Sequence, residues 1–137
     1  SKRARSEIEW TRKYIQKRKL DITEDNLRIF RTKILNSKNK NLQSIRGLLD
    51  FFNLSNFRDL LFNYMEHTYD LIKIKKLLES KKLDFIAFNE MHPNLIKSFK
   101  THFPNENELA KLESWDKFEK IYPKTFLGMY RFWVKKN

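Results

Sequence analysis

The sequence predicts an all-α fold, a compact bundle of about six to eight short helices with no significant β-sheet. Three observations predict it. Only two Gly and three Pro occur in 137 residues, so few positions break a helix. Apolar residues recur three and four apart along most of the chain, the spacing that collects one face of a helix. Twelve Phe, five Tyr and three Trp supply bulk for a packed core, which separates the chain from a disordered basic tail. At this length residues 1–137 read as a single basic helical domain, with 1–5 as a flexible arm. A first residue of Ser rather than Met suggests a domain excised from a larger protein.

The elements follow in order. Ser6 is a candidate cap for a first helix. Glu7 and Glu9 occupy its first turn and basic residues follow, an order that suits the helix dipole. Its apolar residues are Ile8, Trp10, Tyr14 and Ile15. A second helix starts after Thr23, with Glu24 and Asp25 in its first turn, and carries Leu27, Phe30 and Ile34. The polar stretch 36–41 is a loop. A third helix after Asn41 carries Leu42, Ile45, Leu48, Leu49 and Phe52. Ser55 is a candidate cap for a fourth, with Phe57, Leu60, Leu61, Tyr64 and Met65; the sequon Asn53-Leu54-Ser55 reads as a helix junction. Residues 68–70 offer a new cap before Leu71. The run Leu71-Ile72-Lys73-Ile74-Lys75 partly alternates like a strand, but with no second strand to pair it reads as helix. Residues 83–91 read as a short apolar helix. Pro93 suits the first position of the next, which carries Leu95, Ile96, Phe99 and Phe103 and ends at Pro104. Asn105 with Glu108 resembles a capping box ahead of Leu109, Leu112, Trp115 and Phe118. Phe126, Met129, Tyr130 and Trp133 have the spacing of a last, docked helix. The expected core includes Phe30, Leu49, Phe52, Leu61, Phe99, Leu112, Tyr130 and Trp133.

Charge is the strongest functional signal. Lys and Arg number 29 against 17 Asp and Glu, a net charge of +12. Residues 1–40 hold thirteen of the cations and five of the acids, and six of the nine Arg lie in the first thirty-one residues. Arg presents a planar fork of donors that fits phosphate. The expected function is therefore a nucleic-acid-binding domain that holds the phosphate backbone of DNA or RNA. The candidate contacts are Arg3, Arg5, Arg12, Lys13, Lys17, Arg18, Lys19, Arg28, Arg31 and Lys33. Trp10 and Tyr14 lie among them and would stack on unpaired bases or, alternatively, belong to the core. The alternative function is a protein-interaction module that docks an acidic protein, docks domains of a parent protein, or self-assembles. An anionic lipid surface, or an import signal built from Lys2-Arg3 and Lys17-Arg18-Lys19, would use the same charge.

A helix-turn-helix sought in 83–100 fails. Anchoring Ala87 at the small position puts Glu90, His92 and Lys97 where apolar residues belong. The segment from Leu20 to Phe30, with residues 42–52, resembles part of the core-binding domain of tyrosine recombinases, a small helical bundle that clamps DNA. The likeness rests mostly on helix-start chemistry, and the first helix lies closer to this segment than in that family. No family is assigned on it.

Catalytic patterns are absent. There is no Cys, which removes disulfides, thiol chemistry and Cys-ligated zinc. Gly47 and Gly128 are isolated, so no phosphate loop or G-x-S-x-G elbow exists. His67, His92 and His102 show no i, i+4 pair for a metal. The expectation is no enzyme, no catalytic residue, no metal and no cofactor. No apolar run approaches the ~20 residues of a membrane span, and no signal-peptide core is present. The chain reads as intracellular, with nucleus and cytoplasm not distinguished.

Overall fold

Helices form wherever a capping side chain precedes an apolar three-and-four pattern, and most of the chain obeys that rule. The computed structural model describes residues 1–126 and 128–137. Leu127, inside the expected last helix, lies outside the described residues. Seven α-helices, two short 3-10 turns and two strands make up the described chain. They gather into two compact units, Arg5–His67 and a second unit of Ser1–Ala4 with Thr68–Asn137.

The Arg5–His67 unit is all helical: α1 Ser6–Lys17, α2 Glu24–Leu35, α3 Lys40–Arg46 and α4 Leu54–Phe62, with a 3-10 turn at Leu49–Phe51. The Thr23 side chain accepts from the Asn26 N–H and caps α2. Asn39 caps α3, and Asn53, rather than Ser55, caps α4. Ser6 caps nothing: Arg5 holds the cap position of α1, and no side chain satisfies it. The end of α1 closes tightly. The Lys19 N–H donates to the Gln16 carbonyl and the Leu20 N–H reaches the Ile15 carbonyl. Lys19 takes the left-handed conformation, φ 49°, that Gly usually supplies at this position. Ile8, Ile15, Phe30, Ile34, Ile45, Phe57 and Leu61 form the centre of this unit's core. Each fully buried aliphatic side chain contributes about 1.5–3 kcal/mol.

The third helix is shorter than expected. It stops at Arg46, with Gly47 in the cap position. Gly is a poor helix former, and the chain turns extended at Leu48, ψ 138°. Phe51 then takes the core position, 2% exposed, while Leu49 and Phe52 point outward at 90% and 72%. Both were expected in the core.

The second unit holds α5 Leu71–Ser80, β1 Leu83–Phe88, α6 Pro93–His102, a 3-10 turn at Glu106–Ala110, α7 Leu112–Ile121 and β2 Phe132–Lys136. Asp70 caps α5, accepting from the Lys73 N–H at 2.8 Å. His92 caps α6, with Pro93 in the first turn as expected. The expected helix at 83–91 does not form, and the described residues of the expected last helix, 126 and 128–133, hold none. Instead β1 and β2 pair antiparallel, Leu83 opposite Lys136 and Phe88 opposite Phe132, with an irregularity at Ile86. Phe132-Trp133-Val134 is aromatic and β-branched, a composition that suits a pleated surface. Pairing two strands satisfies backbone groups that neither short segment satisfies alone. The consequence is that Trp133 is exposed and Tyr130 half-buried. Phe99 stacks on Trp115, ring centroids 3.9 Å apart, and Phe88 meets Trp115 and Phe126. The Trp115 indole N–H donates to the Leu109 carbonyl at 2.9 Å.

Candidate nucleic-acid interface

The ten cations expected at the interface fall into two groups. Five are tied to protein acceptors. Arg12 is the clearest. It sits one turn from Ile8 and three residues before Ile15, on the apolar face of α1, and is only 8% exposed. Its Nε and Nη2 donate to the Leu60 carbonyl at 3.0 and 2.7 Å, and Nη2 pairs with Glu66 at 2.6 Å. Leu60 lies in the last turn of α4, whose carbonyls lack helical partners. Arg12 therefore caps α4 with a cation at the negative end of its dipole. Arg5 shares Glu66 from the other side at 3.1 Å.

Arg3 belongs to the second unit. It pairs with Asp116 and Glu119, both at 2.9 Å, on the buried side of α7. Burial works against its charge, but the hydrogen bonds and charges of these two carboxylates outweigh it and raise its pKa. Tyr130 donates to the same Glu119 at 2.8 Å, and Lys120 pairs with Asp116. Arg28 pairs with Glu24 one turn earlier on α2, a hydrogen bond that raises its pKa in full solvent. Arg31 reaches the Phe52 carbonyl at 3.4 Å.

Lys13, Lys17, Arg18, Lys19 and Lys33 form the second group. All are exposed, and none has an ion pair among the described residues. On α1, Trp10, Lys13, Tyr14, Lys17 and Arg18 are spaced i, i+3, i+4, i+7, i+8, one face turned away from Ile8, Thr11, Arg12 and Ile15. Trp10 stacks on Tyr14 with centroids 5.4 Å apart and planes 27° apart. The Arg18 guanidinium lies over the Tyr14 ring at 3.8 Å, and the Lys33 ammonium arrives from α2 at 5.9 Å. The ring's negative face draws both cations to one place without a carboxylate. Trp10 and Tyr14 are half-buried against the core, which meets the core reading in part.

The approach of Lys33 to Tyr14 is tertiary and has no local sequence signal. The burial of Arg12 had one: positions 8, 12 and 15 are a single helix face.

Among the described residues no group of three His, Asp or Glu is placed to hold a metal ion. His92 is occupied as a cap, and His102 contacts the Ser98 carbonyl and the Phe118 and Tyr122 rings. No described helix is long and apolar enough to cross a membrane. No family model, curated protein or solved structure matches the chain.

Proposed function

We propose that the chain is a nucleic-acid-binding protein of the cell interior that holds phosphates on the α1–α2 face of its Arg5–His67 unit. The observation that carries this is the convergence of unpaired cations around a stacked aromatic pair. Among the described residues Lys13, Lys17, Arg18, Lys19 and Lys33 have no ion pair, while the neighbouring Arg5, Arg12 and Arg28 are already neutralised. Unpaired cations at one surface neutralise phosphates and release counterions, a sequence-independent source of affinity for DNA or RNA. Trp10, backed by Tyr14 and partly exposed, adds a flat ring on which an unpaired base stacks. The surface is a binding face and carries no group poised for chemistry.

The test is charge reversal at exposed residues that have no ion pair among the described residues. Lys13, Lys17 and Lys33 changed together to Glu should abolish binding to a labelled oligonucleotide at moderate salt. The same reversal at Lys76, Lys97 and Lys124, exposed and unpaired in the other unit, should weaken it far less. Equal losses from both sets would mean a diffuse field rather than a site.

A second reading has its own observation. Leu49 at 90%, Met65 at 84%, Phe52 at 72% and Ile29 at 66% are exposed in the same unit. Apolar residues in solvent suit a protein-interaction module. Binding through them would be nearly indifferent to salt, which separates the two readings.

A further inference from the structure

The β-ribbon of the second unit brings together cations that are far apart in sequence. Lys81 and Lys82 form the turn before β1, and Lys135 and Lys136 end β2. The register sets Lys136 opposite Leu83 and Lys135 opposite Asp84. The Asn137 N–H donates to the Lys82 carbonyl at 3.1 Å, which closes this end of the ribbon. All four lysines are exposed and without an ion pair among the described residues. Asp84, opposite Lys135 in the register, is engaged by the Asn137 side chain at 3.1 Å.

On the outward side of the same ribbon Trp133 is 63% exposed and Ile86 48%. Side chains alternate along a strand, so Phe132 enters the core and its neighbour Trp133 faces solvent. Trp133 thus shares the outward face of β2 with Lys135, two residues further on, while Lys81, Lys82 and Lys136 lie at that end of the ribbon. Charge complementarity selects an anionic partner, and the flat ring selects one with planar groups to stack. Single-stranded nucleic acid supplies both, whereas a duplex hides its base faces. We propose that this ribbon is a second, single-strand-binding surface: a base stacks on Trp133 while the lysines at the ribbon's end hold the adjoining phosphates. It shares a partner class with the α1–α2 face but uses none of its residues.

The experiment uses the full chain with three probes: a fluorescein-labelled oligothymidine of about 15 nucleotides, a mixed-sequence duplex of the same length, and phosphatidylserine-containing vesicles. Trp133→Leu should weaken strand binding about tenfold, the scale of one lost base–aromatic stack, and leave duplex binding within about twofold. Lys135→Glu with Lys136→Glu should weaken both nucleic acids. Because a strand substitution can disturb pairing, each variant is checked by circular dichroism. The unaltered chain is also photo-cross-linked to a strand carrying 5-iodouracil, which should attach to residues 132–136. Strand affinity unchanged in Trp133→Leu, no cross-link in 132–136, or binding to vesicles but not to strands would each overturn the proposal. The α1–α2 reversal at Lys13, Lys17 and Lys33 keeps the two surfaces apart. If it changes nothing while Trp133→Leu weakens strand binding, the helix-face reading falls and the ribbon stands.

Discussion

Replacing Arg12 by Met should destabilise the Arg5–His67 unit by about 2–4 kcal/mol. Met keeps most of the buried aliphatic stem and removes the guanidinium. Two hydrogen bonds to the Leu60 carbonyl disappear, and that carbonyl is left without its donor inside the structure. An unsatisfied buried acceptor costs about 1–3 kcal/mol. The lost cation also leaves the dipole of α4 uncompensated, a further ~0.3–1 kcal/mol. Loss of the Glu66 pair adds less than a fully buried pair would, because that side chain is 25% exposed and keeps Arg5 at 3.1 Å. For a unit of this size the total corresponds to a fall in Tm of roughly 15–30 °C. The assay is thermal unfolding by far-UV circular dichroism beside Lys17→Met, which should stay within about 0.5 kcal/mol of wild type. An Arg12→Met protein as stable as Lys17→Met would refute the account of α1. The result also governs how binding experiments are designed. A charge reversal that includes Arg12 would abolish binding by unfolding the site and would say nothing about phosphate contact.

Other consequences are open to measurement. Arg3→Met removes one cation from Asp116 and Glu119, which keep Lys120 and Tyr130, and should destabilise the second unit by about 1.5–3 kcal/mol in urea titrations; a loss under about 0.5 kcal/mol would contradict that pairing. Phe99→Ala, at a fully buried ring, should cost about 3–5 kcal/mol, whereas Phe52→Ala, at a 72% exposed one, should cost no more than about 0.5 kcal/mol. Equal costs would contradict the outward turn of Phe52. Acid should weaken the second unit through two carboxylates. The hydrogen bond from Lys111, with that from Ser114, holds Glu108 below its ordinary value of 4.5, and Lys75 does the same for Glu113. A lowered folded-state pKa gives stability that is complete above 4.5 and is lost as pH falls through the lowered value. The double variant Glu108→Gln, Glu113→Gln should show a shallower fall of Tm between pH 5 and 3; an unchanged slope would remove both pairs from the account.

The helical elements were legible where local chemistry decides them. Thr23, Asp70 and Pro93 mark helix starts that the structure keeps, and Phe30, Leu61, Phe99 and Leu112 lie in cores as their spacing implies. The failures come from pairing at a distance. Residues 83–88 and 132–136 become strands because each supplies the other's hydrogen-bond partners, and no window along the sequence contains both. Trp133 at helical spacing looked like core, and strand alternation turned it outward. Gly47 ended α3 early and exchanged Phe51 for Leu49 and Phe52. Among the cations the pattern was half legible. Composition located the basic region, but which Arg are neutralised depends on Glu66, Asp116 and Glu119, all distant in sequence.

Salt dependence tests the central claim most directly. Affinity of the full chain for a labelled single strand and a duplex is measured from about 50 to 200 mM NaCl, for wild type and for the Lys13, Lys17, Lys33→Glu variant. About four phosphates neutralised by the α1–α2 face give a log–log slope near −4 on duplex and near −3 on single strand. The variant should bind weakly and lose most of that slope. A wild-type affinity that hardly changes with salt, or a variant whose slope matches wild type, would contradict a phosphate-binding face on α1 and α2.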